Sequence, residues 1–406
     1  MNKMALLHNP TQTPLMNTLH FALALSCAVV STAYAQPAMT IYGTFKEAND
    51  ETNNEQIARK PFAGTNYQST INIYGTIDAG IRNVTNTTRN GGDTLKVGSN
   101  GEYYNNRIGI KGTEDLGGGL NAHFHLETGF NTGTGALDNN AGRMFNRISS
   151  VGVAGAFGSI DFGRMPSVSC KTIFPYDPFQ YRYVQIIPLA GASAGNADGN
   201  FTGFPYGTIG GTRFSNDVQY IGKFGGLTVL AEYSAGEVAG SNSSGSAKAI
   251  GLTYRPGPFV FGVAYTKQKP NVATGSAVDY RDQDQITFGG AYQADGWRIA
   301  GGHINTEADS AVKGVNNQAK NSWIGGSYDF TPAISVTAGY YRTTLATGSA
   351  ETARRNLLIV GATYALSTHT NLYLGVDRAI LSGFVSLTPG AQTRQTGTSI
   401  GINHMF

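Results

Sequence analysis

Apolar and polar residues alternate along most of the chain from residue 71 to the C-terminus. In "INIYGTIDAGI", Ile73, Ile77 and Ile81 share one parity, while Asn72 and Asp78 share the other. Successive side chains of an extended strand point to opposite faces, so such a stretch predicts a strand with one apolar and one polar face. Sixteen segments of this kind are centred near residues 76, 109, 126, 151, 162, 220, 231, 253, 264, 290, 302, 326, 339, 361, 375 and 402.

The connections between these segments alternate in length. Short ones include "LGGGL" and "FGGL", whereas long ones carry "TNTTRNGGDTLKVGSNGE", "SAVKGVNNQAKN" and "TGSAETARRN". Tight turns on one rim and long loops on the other are typical of an up-and-down barrel. We therefore predict an all-β fold, a 16-stranded antiparallel transmembrane β-barrel with short periplasmic turns and long extracellular loops. Each strand has about 21 residues available, enough for the ~9–11 that cross a bilayer.

Alternation alone does not say which face is inside, because a soluble β-protein also alternates. Two features favour a membrane barrel. The segment "FALALSCAVVSTAYA" ends in an A-x-A site, which predicts a signal peptide over residues 1–35. Aromatic residues such as Phe130, Tyr220 and Tyr340 lie on the apolar parity near strand ends, where interfacial girdles form. A secreted soluble β-protein remains the alternative.

Composition narrows the function classes. Glycine contributes 54 residues and charged residues only 14%, which suits strands joined by tight turns. A net charge of +3 does not indicate a nucleic-acid partner. Cys170 is left alone once Cys27 is cleaved with the signal peptide, so no internal disulfide is expected.

Three segments follow from this pattern. Residues 1–35 form the signal peptide, residues 36–70 an extension, and residues 71–406 the barrel. The extension begins with "MTIYGTF", which nearly repeats the start of the first strand. We expect a mobile or periplasmic segment, with an additional strand pair as the alternative.

Several stretches together resemble a known family. They are "IYGTIDAGI", "NRIGIKGTEDLGGGLNAHFHLETGFN", "FNRISSVGVAGAFGSIDFGR", "FSNDVQYIGKFGGL" and the terminal "GINHMF". The chain resembles the trimeric general porins of Gram-negative outer membranes, most closely the betaproteobacterial type. This resemblance implies a homotrimer in the outer membrane that lets small hydrophilic solutes and ions diffuse passively. It also implies contact with outer-membrane lipid and lipopolysaccharide, no cofactor, and recognition of the strand ending in Phe406 by the outer-membrane assembly machinery.

Lumen charges are the first candidates for the pore constriction. By parity Arg107 and Lys111 point inward, Arg147 is opposed to Ile148, and Arg213 begins a strand with its side chain inward. By resemblance, the three arginines match the basic cluster that faces the inserted loop of porins. Ordinary lumen charge without a special role is the alternative.

The segment 170–211 would be loop three, which porins fold into the lumen. It is rich in Pro, Tyr and Ile, unlike the other polar loops. Asp177 is the first candidate for the acidic side of the constriction and Asp198 the second. With three arginines and Lys111 against one or two aspartates, we expect a weak preference for anions.

Arg164 falls on the outward parity, so it suits a bond to a neighbouring subunit, with Asp138 in loop two as partner. A rim charge without a partner is the alternative.

His123 and His125 share a strand face, but no third ligand accompanies them, so we predict no metal site. No nucleophile elbow or ordered triad is present, so we predict a channel rather than a barrel hydrolase. A porin specialised for one solute class remains open.

Overall fold

The computed structural model describes residues 40–42, 69–87, 91–98, 101–139, 142–183, 212–269, 282–309, 315–383 and 392–406. The signal peptide, residues 36–39 and 43–68 of the extension, and Asp198 lie outside these described residues, so what the sequence indicates for them stays a prediction.

The described residues form eighteen strands, one short α-helix and one 3₁₀ turn. The helix is α1 (Val168–Ile173), and the 3₁₀ turn covers Phe174–Tyr176. The strands are β1 (Thr40–Tyr42), β2 (Ser69–Val84), β3 (Thr94–Val97), β4 (Arg107–Gly117), β5 (Leu120–Gly129), β6 (Ile148–Gly155), β7 (Gly158–Pro166), β8 (Arg213–Phe224), β9 (Leu227–Ser234), β10 (Ala247–Tyr254), β11 (Phe259–Gln268), β12 (Gln283–Ala294), β13 (Trp297–Asp309), β14 (Asn316–Thr331), β15 (Ile334–Thr347), β16 (Ala350–Ala365), β17 (Thr370–Ser382) and β18 (Arg394–Met405).

Sixteen of these strands, all except β1 and β3, form one closed antiparallel barrel, as predicted. Each pairs with its neighbours in chain order, and β18 pairs with β2 from Gly397↔Val84 to Met405↔Thr76. Closure matters because an unpaired strand edge in lipid leaves backbone groups without hydrogen bonds. The short β1 pairs with the start of β2, and β3 pairs with its other end.

The polarity of the wall is the reverse of a soluble protein's. On β2, Ile77 and Ile81 are 43% and 47% exposed, whereas Asp78 and Arg82 are 0% exposed. The apolar parity thus faces outward and the polar parity faces the lumen. This arrangement suits a barrel surrounded by lipid, and it confirms the prediction of a transmembrane barrel.

Among the described residues, no helix has the length and apolar character needed to cross a bilayer.

Of two predicted long loops, one is half strand and the other mostly strand. "SAVKGVNNQAKN" already enters β14 at Asn316, and "TGSAETARRN" is the hairpin of β15 and β16, joined only by Gly348 and Ser349. Their polarity indicated loops, but strands that project beyond the lipid are wet on both sides and need no apolar face. The short turns are as predicted; Asp295 and Gly296 between β12 and β13, for example, have φ of 53° and 77°.

Loop three, here residues 167–212 between β7 and β8, enters the lumen in its described part, 167–183, as predicted. It packs on the inner wall of the later strands through a buried aromatic and aliphatic cluster. Members of this cluster from loop three are Ile173, Tyr176, Phe179 and Tyr183. They contact wall residues that include Trp323 and Tyr373. The barrel therefore has its largest apolar core inside the lumen, between loop three and the wall.

Candidate functional site: the lumen constriction

Loop three begins as helix α1 fixed to the wall. Ser167 is the N-cap, and its Oγ accepts a hydrogen bond from the Cys170 N–H at 3.3 Å. The Oε2 of Glu232 on β9 accepts the Val168 N–H at 3.0 Å. These two acceptors satisfy N–H groups that a helix start otherwise leaves unpaired, and one of them belongs to the barrel.

From α1 to Tyr183, loop three lies in a track of glycines. An added β-carbon at Gly262 would lie 2.6 Å from Cε1 of Tyr176, and one at Gly375 would lie 2.5 Å from Cε1 of Tyr183. Only glycine lets the loop approach the wall this closely. We call this set the glycine track; it has one member on each strand from β10 to β17, namely Gly251, Gly262, Gly289, Gly302, Gly325, Gly339, Gly361 and Gly375.

Aromatic contacts hold the loop on this track. The rings of Tyr176 and Trp323 stack with centroids 5.9 Å apart, and the Trp323 Nε1–H donates to the Tyr176 carbonyl at 3.0 Å. Further along, the Tyr183 hydroxyl donates to the Leu374 carbonyl at 2.7 Å. The sequence analysis missed the glycine track. The signal that could have found it is a glycine among the polar, lumen-facing residues of each consecutive strand from β10 to β17.

Asp177 lies behind loop three and not at its aqueous face. It is 0% exposed, and its carboxylate accepts the Tyr341 hydroxyl and the Tyr181 N–H, each at 2.7 Å. Burial raises the pKa of Asp177 to about 6, while these hydrogen bonds and the Arg298 guanidinium oppose the rise. This placement differs from the prediction that Asp177 lines the pore. The short loop segment turns the carboxylate toward the wall, which strand parity could not show.

Arg298 on β13 supports the same segment from below. Its guanidinium donates to three carbonyl oxygens of loop three, those of Pro175, Asp177 and Pro178, at 2.6, 2.9 and 3.2 Å. Because a guanidinium presents several donors in a plane, one side chain satisfies the carbonyls of a whole turn. Arg298 was not among the sequence candidates.

A second inward segment comes from loop one, the residues between β2 and β4. The buried carboxylate of Asp78 accepts the backbone N–H groups of Glu102, Tyr103 and Tyr104 at 2.8, 3.4 and 3.3 Å. The Tyr103 carbonyl in turn accepts the Tyr183 N–H at 2.7 Å. Loops one and three therefore meet inside the barrel, so the constriction has two loop components where sequence analysis proposed one.

The opposite wall carries the predicted basic cluster. Glu127 on β5 receives Arg147 at 2.7 Å and Arg107 at 3.5 Å, so both arginines meet at one carboxylate. The Tyr104 ring lies between two guanidinium groups, with the Cζ atoms of Arg107 and Arg182 at 4.2 and 3.5 Å from its centroid. Aromatic faces attract cations, so Tyr104 links the wall arginine to the loop-three arginine.

Lys111 and Arg213 complete the predicted cations. Lys111 is exposed in the lumen, with its Nζ 5.5 Å from the centroid of the Tyr74 ring. Arg213, the first residue of β8, donates to the Thr212 hydroxyl at 2.8 Å and lies within electrostatic range of Arg147. The structure thus brings the four predicted cations to one side of the lumen, opposite the buried Asp177.

Four carboxylates on the cationic side are covered or paired, whereas Asp115 at the end of β4 is exposed. Glu127, Asp217 and Glu232 are 5%, 1% and 6% exposed. Asp161 lies 2.7 Å from His123, and His125 bonds to the Tyr74 hydroxyl. The two histidines therefore have separate partners, and the described residues contain no group of three metal-ligating side chains.

Arg164 and Asp138 have partners within the chain. Arg164 donates to the Asn146 carbonyl at 2.6 Å and to the Ser215 hydroxyl at 2.8 Å. Asp138 accepts a hydrogen bond from the Asn146 side chain. Asn146 thus lies between the two residues, and their bond across a subunit interface stays a prediction.

Comparison with known proteins agrees with this architecture. A family model described as Gram-negative porin matches residues 22–380. The chain is 28% identical over 402 residues to an outer membrane porin protein of Bordetella pertussis, an alignment that covers 85% of this chain and 97% of the relative.

Two solved structures share the fold. An anion-selective porin from Comamonas acidovorans superposes with a TM-score of 0.67 at 25% identity, covering 83% of this chain and 100% of that chain. OmpT of Vibrio cholerae in its trimer form gives a TM-score of 0.60 at 15% identity, covering 83% of this chain and 99% of that chain. The chain therefore belongs to the Gram-negative porins, outer-membrane barrels through which small hydrophilic solutes diffuse passively.

Proposed function

We propose that this porin prefers anions weakly. The observation that carries the proposal is the unequal exposure of lumen charges. Lys111 is exposed and Arg182 half-exposed, two arginines share the single carboxylate of Glu127, and Asp177 and Asp78 are buried. A solute at the constriction therefore meets more positive than negative charge. The solved Comamonas porin, which is named as anion-selective, supports the same reading.

The reversal potential of the purified channel in a salt gradient tests this proposal. We expect the wild type to favour anions, and Lys111→Glu to shift the permeability ratio toward cations by about 5–30-fold. One charge within about 4–8 Å of a passing ion is worth about 0.5–1 kcal/mol in water, and this substitution changes the charge by two. Arg147→Glu should shift it in the same direction. Lys248→Glu, on the outer face of β10, is the control. Equal reversal potentials in wild type and Lys111→Glu would refute the assignment.

The proposal extends to assembly. We expect a homotrimer in which Arg164 and Asp138 contribute to the subunit contact, and the Vibrio structure in trimer form supports this arrangement for the fold. Native mass spectrometry should give three chains per particle. Paired alanine variants of Arg164 and Asp138 should release single chains, while a trimer of unchanged stability would contradict their role.

Contacts with the envelope belong to the same proposal. The Phe406 carbonyl accepts the Gly75 N–H at 2.9 Å, so the last residue lies at the seam that closes the barrel. Phe406 is 43% exposed on the outer surface, where the assembly machinery could reach it. The apolar outer wall would contact lipid and, in the outer leaflet, lipopolysaccharide. No catalytic role is proposed for any residue.

A further inference from the structure

Basic side chains cross the outer surface of β14 to β18 near the rim that carries the loops. They occupy the outward parity of their strands, and all are exposed except the half-exposed Arg354. Each of the five strands contributes one cation. We call this set the basic stripe; it consists of Lys320, Arg342, Arg354, Arg378 and Arg394.

The stripe lies at the upper edge of the apolar outer wall. Tyr340, two residues before Arg342 on the same face of β15, is 42% exposed, and its cross-strand neighbours Ile324 and Leu358 are 63% and 49% exposed. Two residues span about 7 Å along a strand. Exposed tyrosines mark the interface between hydrocarbon and water, so Arg342 falls at the level of lipid headgroups.

The strand register brings the cations close to one another. Lys320 is opposite Thr344, which is two residues from Arg342. Arg394 is opposite Ile380, which is two residues from Arg378. Diagonal neighbours of this kind in an antiparallel sheet lie about 7–8 Å apart. Long basic side chains at that spacing can converge on one anionic group.

Charge compensation differs around the rim. At the same rim of β11, Lys267 lies 2.7 Å from Asp282 and 4.0 Å from Asp284, so its charge is balanced. On the stripe, Glu351 lies 2.7 Å from Arg354. Within the described part of the chain, Lys320, Arg342 and Arg378 have no carboxylate within 4.0 Å. Three of the five stripe cations therefore lack the carboxylate partner that Lys267 has.

We propose that the basic stripe binds the phosphate groups of an outer-leaflet lipid, which in an outer membrane is lipopolysaccharide. The inference deepens the proposed lipid contact and rests on it. Arginine and lysine donate charge-assisted hydrogen bonds to phosphate oxygens. The acyl chains of that lipid would lie on the exposed Tyr340, Ile324 and Leu358 just below. The stripe thus fits a ligand that is anionic at the rim and apolar beneath it.

The test compares two probes on the full-length protein in detergent. Diphosphorylated lipid A and the same lipid without phosphates are titrated, and bound lipid is counted by native mass spectrometry. A basic residue near an anionic membrane surface contributes about fivefold to binding. The triple variant Lys320→Gln, Arg342→Gln, Arg378→Gln should therefore lose about 100-fold in affinity for the phosphorylated lipid and little for the other. Single-channel conductance equal to wild type shows that the variant is folded.

Two further variants keep the test decisive. Lys267→Gln is the matched control, because its cation is on the same rim but already paired, and we expect no loss. Arg342→Gln alone should lose about fivefold, which covers the case in which the triple variant does not fold.

Every other result of the lipid titration refutes a specific part of the proposal. Equal binding of both lipids by the wild type refutes the lipopolysaccharide contact through phosphate, and the stripe with it. If the triple variant keeps the wild-type preference for the phosphorylated lipid, the lipopolysaccharide contact is supported but the basic stripe is not its binding site. A triple variant that dissociates into single chains places the stripe in a subunit interface, which also refutes lipid binding there.

Discussion

Replacing Gly262 by alanine tests whether the glycine track holds loop three against the wall. The added methyl would lie 2.6 Å from Cε1 of Tyr176 and 3.0 Å from Cγ2 of Thr172, both on loop three. Ordinary carbon contacts are about 3.5–4.0 Å, so the loop must retreat by about 1 Å toward the pore axis. Overpacking of this kind costs about 1–3 kcal/mol. That cost shifts the equilibrium between docked and released loop by about 5–150-fold.

Single-channel recording in planar bilayers measures the consequence. We expect Gly262→Ala to lower the mean conductance and to increase current noise, because the loop lies further into the lumen and leaves the wall more often. Gly290→Ala is the control, since Gly290 belongs to the next strand and its added methyl would meet the outward ring of Phe261 at 3.0 Å. Wild-type conductance and noise in Gly262→Ala, with a normal control, would refute the role of the track.

Three further predictions concern single groups. Burial raises the pKa of Asp177 from 3.8 to about 6. Protonated Asp177 therefore stabilises the folded protein by about 3 kcal/mol below pH 4, and this stabilisation is lost as the pH rises through 6. Thermal melts from pH 4 to 7 should show the loss in wild type but not in Asp177→Asn, and parallel curves would contradict it. Asp78→Ala leaves three backbone N–H groups without their acceptor, at a cost of about 1–3 kcal/mol each. Amide hydrogen exchange of residues 101–106 should therefore accelerate. Unchanged protection would show that Asp78 does not hold loop one in place. Phe406→Ala should reduce the amount of folded protein in outer membranes, while refolding in detergent stays efficient because β18 pairs through its main chain. Equal losses in both assays would indicate an effect on stability instead of on recognition by the assembly machinery.

The barrel was predictable because strand alternation is a local property. Ile77 and Asp78 are neighbours in the chain, and their opposite exposure of 43% and 0% follows from strand geometry alone. The inward placement of Arg107 and Lys111 follows from the same parity. The even number of strands and the position of the tight turns were also legible along the chain. The two predicted loops that contain strand show where this prediction fails. A strand that extends beyond the lipid is polar on both faces, so apolar–polar alternation no longer identifies it.

The constriction depended on contacts between residues far apart in sequence. Asp177 looked like a pore carboxylate because it lies in the inserted loop, yet Tyr341 and Arg298 hold it at the wall. The pairing of loop one with loop three through Tyr103 and Tyr183 has no local pattern that announces it.

The sequence by itself determined which side chains face lipid and which face water, since a strand has only two faces and their chemistry is written in alternate residues. Only the tertiary structure decided where the loops come to rest inside the barrel. A loop has no fixed period, so its path is set by the surface it meets, here a row of glycines on eight strands that leaves room for tyrosine rings.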